Sequence, residues 1–319
     1  MGRYILRRVL IAVPTIIVIS FVVYAILALA PTDPLSQFGA DPRVPPEVRA
    51  TIRTSLGLDD PWPVRYVKWV SALGRGDFGV SFMSHSSVMG LIQQRLPNTL
   101  AVVGVAYIIG VLLAIPIGMI SAVRRYSLFD HVATTFAFIG FSVPTFFTGI
   151  LLIIVFSINL RWFPFIYDST LQIHDIGSFL DQVKQSIMPI TVLALFDTAT
   201  IARYTRAEML EHLPLDYVRT ARSKGLREQV VILRHVLRNS LIPVVTLVAL
   251  GIPAVFGGAI VTEQIFRVPG IGELLVRSIG DGDTPVVAAI LLIFAVLVVS
   301  FNLLADVLYA VLDPRIKYT

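Results

Sequence analysis

No cysteine occurs anywhere in the 319 residues. Disulfides, thiolate metal sites and cysteine nucleophiles are thereby excluded. Charge is almost as scarce, at 15% of the chain against about a quarter in an ordinary soluble domain. The histidines, His85, His131, His174, His212 and His235, show no metal-ligand spacing. A G-x-x-x-x-G-K-[ST] phosphate loop is missing too. No Ser/His/Asp set can be assembled from residues scattered on both sides of the apolar runs described next, so no enzyme site is expected.

What is present is apolar surface. Hydrophobic residues make up 55% of the chain and mean hydropathy is +0.79. A helix needs about 20 apolar residues to cross the hydrocarbon core, and Val9–Ala30, Thr99–Val123, Val132–Ile158, Ser240–Thr262 and Pro285–Leu312 qualify. Ile187–Ala202 is shorter and carries Asp197, but Arg203 and Arg206 follow it as an anchor would. The spacing predicts an all-α polytopic membrane protein with six transmembrane helices. The first run also has signal-peptide features, a basic start and Ala28-Leu29-Ala30. Signal peptides, however, carry an apolar core of only about 7–15 residues, so a retained helix is expected.

Of the 26 lysines and arginines, fifteen fall on the side shared by both termini. Most of the others sit in the long Pro31–Asn98 segment, which can translocate regardless of charge. The short loops therefore place both termini inside. The same boundary clusters account for the net charge of +5 without nucleic acid. Three regions result: residues 1–30 with the first span, an external partly helical loop 31–98, and a core 99–319 containing a cytoplasmic loop 203–239. In the external loop, Glu47–Leu56 and Val64–Leu73 read as helices, with Gly57 a stop after the first and Trp62, Tyr66, Trp69 and Phe78 as packing material.

In the cytoplasmic loop Pro214 ends one helix and Asp216 can cap the next. Tyr217–Lys224 makes about two turns and Gly225 a left-handed stop. A further helix from Leu226 places Val230, Leu233, Leu237 and Leu241 on one face. On physics alone, such a helix could be gripped by a cytosolic partner or could lie on lipid headgroups through Arg219, Arg222 and Lys224.

The run Tyr217-Val218-Arg219-Thr220-Ala221-Arg222-Ser223-Lys224-Gly225-Leu226 closely resembles the coupling-loop motif of binding-protein-dependent ABC permeases, in its dipeptide and oligopeptide branch. Ala221 and Gly225 match the general pattern, whereas Arg219 and Thr220 replace its Glu and first Ala. Beyond them only Leu237 of His235-Val236-Leu237-Arg238 matches. Met1–Arg8, Leu56–Pro61, Gly76–Ser81, Arg95–Leu100, Phe266–Gly272 and Asp306–Arg315 resemble further signatures of that branch, in order along the chain.

The resemblance implies a type I importer permease in a bacterial inner or plasma membrane. It also implies a second permease subunit, two cytosolic ATPase subunits that use ATP and Mg, an external substrate-binding protein, surrounding lipid and a peptide cargo. No cofactor bound by this chain is expected. Asp216, Tyr217, Arg219, Thr220, Ala221, Arg222, Lys224, Gly225 and Leu226 would meet an ATPase subunit, with Tyr217 as an aromatic anchor. Nickel complexes or oligosaccharides are alternative cargoes within the same branch. A stand-alone secondary transporter is the reading from a different class.

Three charged residues remain. Asp197 could contact a peptide's amino end, pair with a neighbouring subunit or cap a broken helix. Asp306 is expected to pair with Arg203 or Arg206. Glu263 would be solvated at the start of an external loop or line an outer gate. Gly140, Pro144 and Gly149 interrupt the third span, as a hinge or as close packing sites.

Overall fold

The computed structural model describes residues 2–29, 47, 54, 59–171, 173–257 and 259–312. Apart from an isolated antiparallel bridge between Val80 and Ser87, regular structure among the described residues is helical. In chain order the helices are α1 (Gly2–Leu29), α2 (Trp62–Leu73), α3 (Val88–Val123), α4 (Leu128–Ser142), α5 (Thr145–Asn159) and α6 (Ile176–His212). They continue as α7 (Asp216–Ser223), α8 (Glu228–Phe256), α9 (Ile260–Phe266), α10 (Ile271–Gly280) and α11 (Thr284–Leu312). The expected helix Glu47–Leu56 with its stop at Gly57 falls outside the described residues, save Glu47 and Thr54, and so does the end of the last signature, Asp313–Arg315.

α1, α3, α6, α8 and α11 are each long and apolar enough to cross a bilayer. Leu10 at 63%, Ile26 at 65% and Leu112 at 65% remain exposed on them, which water would not tolerate across whole helices but hydrocarbon does. The span expected at Val132–Ile158 is not one helix. α4 and α5 meet at a bend of 103°. The cause is local: proline disfavours the helical conformation at the residue before it, and Val143, before Pro144, is extended at φ −86°, ψ 123°. The flanking glycines are packing sites. A Cβ on Gly140 would lie 3.2 Å from Ala199 Cβ, and one on Gly149 would lie 3.3 Å from the Phe266 ring.

The span expected at Ile187–Ala202 is the middle of a 37-residue helix. α6 starts at a capping box in which Asp175 accepts from the Ser178 N–H at 2.7 Å and Ser178 closes back on the backbone of Asp175. It is locked to α3 by a ridge of small residues, Ala106, Gly110, Ala114, Gly118 and Ala122, all buried and four apart. A Cβ on Gly118 would stand 2.6 Å from Ala202 O and 2.7 Å from Thr205 Cβ. Backbones approach this closely only where side chains are missing.

α2 folds back on α1 through aromatic contacts: Phe21 meets Trp62 and Tyr66, and Tyr24 meets Tyr66 and Trp69. Ser20 and Tyr66 share a hydroxyl–hydroxyl bond of 2.9 Å. Phe78 packs with Val88, Ile271 and Val286. Asp306 pairs with Arg8 at 3.0 Å, joining α11 to α1, in place of the expected pairing with Arg203 or Arg206.

Candidate functional site

The loop after α6 folds back as a compact hook. α7 buries Val218 and Ala221 against Ala122 of α3, Met209 of α6 and Val231, Ile232 and Val236 of α8. Its Asp216 lies in the first turn and pairs with Arg219 at 2.6 Å; Leu215 holds the capping position, with no side-chain cap. The expected cap is therefore displaced by one residue, although a carboxylate in the first turn still opposes the helix dipole favourably. Gly225 has φ +74°, and a Cβ added there would meet nothing within 4 Å, so the turn selects glycine for conformation and not for space.

The returning arm differs from the expected face. Val231–Leu237 is π-helical, and Val231, Ile232, Val236 and Ser240 are buried while Leu233 stands 53% exposed. Bonds from i to i+5 widen the turn, so a pattern read at 3.6 residues selects the wrong residues. Arg222 ties the two arms by donating from Nε and Nη2 to Glu228 at 3.2 and 2.7 Å. That bond holds its guanidinium above the usual range. Tyr217 is half-buried, its hydroxyl 3.0 Å from His212 Nδ1, and burial raises its phenol above the usual value. Of the predicted contact residues, then, Tyr217, Ala221 and Arg222 are engaged with other parts of the chain, and Asp216 and Arg219 with each other. Leu215, Asp216, Arg219, Thr220, Ser223, Lys224 and Leu226 form the outward face.

Beside the hook, Arg206 donates to both oxygens of Asp130, from Nε at 2.7 Å and Nη2 at 2.9 Å. Asp130 also accepts from the Tyr126 N–H at 2.9 Å, and Ser127 caps α4. This clamp between α4 and α6 is not among the expected pairings. The sequence does carry its signal, Ser127-Leu128-Phe129-Asp130 at a helix start and an arginine after a span, but not the pairing.

The opposite end brings together signatures far apart in sequence. Glu263 is fully buried. Its carboxylate accepts from Thr99 Oγ1 at 2.9 Å and the Glu273 N–H at 2.9 Å, and also from the Gly272 N–H. Burial raises its carboxyl above the usual range, against the lowering effect of these donors. Thr99 Oγ1 in turn accepts from the Ile271 N–H at 2.8 Å. Asn98 donates to Pro269 O at 3.1 Å, and Arg95 pairs with Glu273 at 3.0 Å. Glu263 thus caps the start of α10 from inside the protein, which corrects its expected place as a solvated or gate-lining residue. The preceding turn needs Arg267 left-handed at φ 55°. Nearby, Asp283 accepts from Ser81 Oγ and, at 3.0 Å, from the Phe82 N–H, fixing the Gly76–Ser81 signature to the start of α11.

Asp197 sits in unbroken helix within α6, so capping a broken helix is not its role. Its Cβ faces Gly110 of α3.

These elements define a multi-pass α-helical membrane subunit with a helical hook at one end and a capped joint at the other. Residues 114–318 match the family described as "Binding-protein-dependent transport system inner membrane component", and residues 1–103 match its N-terminal counterpart. The chain belongs to this family of ABC transporter permeases. It is 43% identical over 319 residues to the oligopeptide transport system permease protein AppB of Bacillus subtilis, with all of both chains covered. It is 38% identical over 334 residues to the di/tripeptide transport system permease protein DppB of Pseudomonas aeruginosa, covering 100% of this chain and 99% of that one. A putative peptide transport system permease protein of Brucella abortus is 38% identical over 318 residues, again at full coverage.

Proposed function

We propose that this chain is one of two membrane-spanning subunits of an ATP-driven peptide importer, with both termini inside the cell. α7 and Gly225 seat on one of two ATPase subunits, and an external binding protein delivers the cargo. Closure of the ATPases draws the hooks together and tilts the bundle from inward-facing to outward-facing, so nucleotide binding biases a two-state element. The peptide cargo rests on the names of the full-length relatives.

The observation that carries the coupling role is the two-sidedness of the hook. Val218 and Ala221 fasten it to three long helices, while the face of Asp216, Arg219, Thr220, Lys224 and Leu226 is left to a partner. A helix that only rested on lipid would have no need of so firm an inner seat. Gly225→Val tests the role. A β-branched residue at φ +74° costs about 1–2 kcal/mol or more and would turn the outward face. We expect normal membrane insertion, loss of co-purifying ATPase and peptide uptake reduced at least about tenfold. Normal uptake in that variant would remove the coupling role.

A further inference from the structure

Asp197 is the one charged residue between Lys184 and Arg203. At 1.5 Å per residue it lies about 9 Å from the arginine end of that interval and about 20 Å from the lysine end. Such a carboxylate in a membrane span normally faces protein or a water-filled space and has a partner. Among the described residues it has none: no hydrogen bond or ion pair reaches it. The basic groups following it on α6 are engaged elsewhere. Arg203 lies over the Phe141 ring at 4.9 Å, and Arg206 is held by Asp130. Tyr107, one turn from Gly110 on α3, donates its hydroxyl to Val248 O at 2.6 Å. Thr198 and Thr200 donate to the backbone carbonyls of Gly110 and Phe196. The hydroxyls of Tyr107, Thr198 and Thr200 are therefore committed to backbone carbonyls, and the Asp197 carboxylate is left half-buried without a hydrogen-bond donor among the described residues.

Resting on the importer reading, we propose that Asp197 is a way-station for the cargo, accepting the α-ammonium group of a peptide in transit. An ammonium offers three donors and a compensating charge. It is also the one cation shared by peptides of any side-chain composition that have a free amino end. A carboxylate that is neither sealed nor paired binds such a group and lets it go, as a pathway requires.

The cysteine-free chain allows a direct test. In the complete complex, built with cysteine-free partners, Asp197→Cys is treated with a small methanethiosulfonate reagent. We expect modification, slowed several-fold by peptide-loaded binding protein with ATP. A thiol unreactive in every state would place position 197 against lipid or a sealed subunit contact and overturn the proposal. In proteoliposomes, peptide delivered per ATP hydrolysed is compared for one peptide with a free amino end and its des-amino analogue. The native chain should favour the free amine about tenfold; Asp197→Asn should abolish the preference and Asp197→Glu retain most of it. Equal loss for both peptides, or an unchanged preference in the Asn variant, would refute the role. Absence of peptide uptake by the native complex would instead refute the importer reading.

Discussion

Gly270→Ala should be among the most damaging small substitutions in the chain, and for a reason that can be switched off. Gly270 has ordinary dihedrals, φ −104° and ψ −172°, so alanine meets no backbone strain there. The three nearest atoms to an added Cβ all belong to the Glu263 carboxyl group, well inside contact distance. The methyl must expel that carboxylate, and the N–H groups of Gly272 and Glu273 then lose their acceptor. Each orphaned buried donor costs about 1–3 kcal/mol, so about 2–6 kcal/mol is at stake. Glu263→Ala removes the same acceptor and should cost a similar amount. The double variant should then be scarcely worse than Glu263→Ala alone, because the methyl enters space already vacated. A coupling of about 2 kcal/mol or more is expected, at the upper part of the range for residues in contact. Thermal unfolding of the purified chain in lipid nanodiscs, followed by tryptophan fluorescence, ranks the four proteins. Additive losses would refute the capping geometry.

Breaking the Asp130–Arg206 clamp with Asp130→Leu should destabilise by roughly 1–4 kcal/mol, since it strands a partly buried guanidinium; Asp130→Leu with Arg206→Leu should cost less than the single change. The same unfolding assay decides, and a double variant worse than the single one would count against a simple ion pair. Gly118→Val should separate α3 from α6, because the added Cβ alone meets Ala202 O at 2.6 Å. Its expected signature is increased proteolysis of the hook at 213–228, whereas unchanged protection would show that the ridge does not seat it.

Much of this architecture is legible in the sequence because its determinants are local. Apolar run length fixes a span and Gly225 marks a left-handed stop. Asp175 with Ser178 announces a helix start just as locally, although a search by apolar run length passes over it. The errors share a different origin. Val230 and Leu233 share a face with Leu237 and Leu241 only if the period is 3.6, and a π-helical segment has a wider turn. Glu263 reads as a solvent residue because nothing local says that Thr99, 164 positions away, donates to its side chain. Arg206 is a reasonable partner for Asp306 by depth alone, yet finds Asp130 at a separation of 76. Glycine signals translate more successfully into packing or conformation than charged residues do into partners. A glycine answers to its own backbone or to one close neighbour, whereas a charge in an apolar chain takes whichever counter-group the fold brings near.

The two ends of the molecule also differ in what they could do under the proposed cycle. At the capped end, Arg95, Asn98, Thr99, Glu263 and Glu273 join α3, α9 and α10 by directed bonds that fail if any member moves by a few tenths of a nanometre. At the hook end, the inner seat is apolar, through Val218, Ala221, Met209 and Val236, and such contacts are non-directional. α6 runs between the two regions for 37 residues, about 55 Å of continuous helix, and its small-residue contact packs it backbone to backbone against α3. Under that cycle a push on the hook would be carried along α6 past Asp197, while the break at Pro144 would let α4 and α5 answer differently from each other. Asp197, the proposed way-station, thus lies on the element that a push on the hook would move.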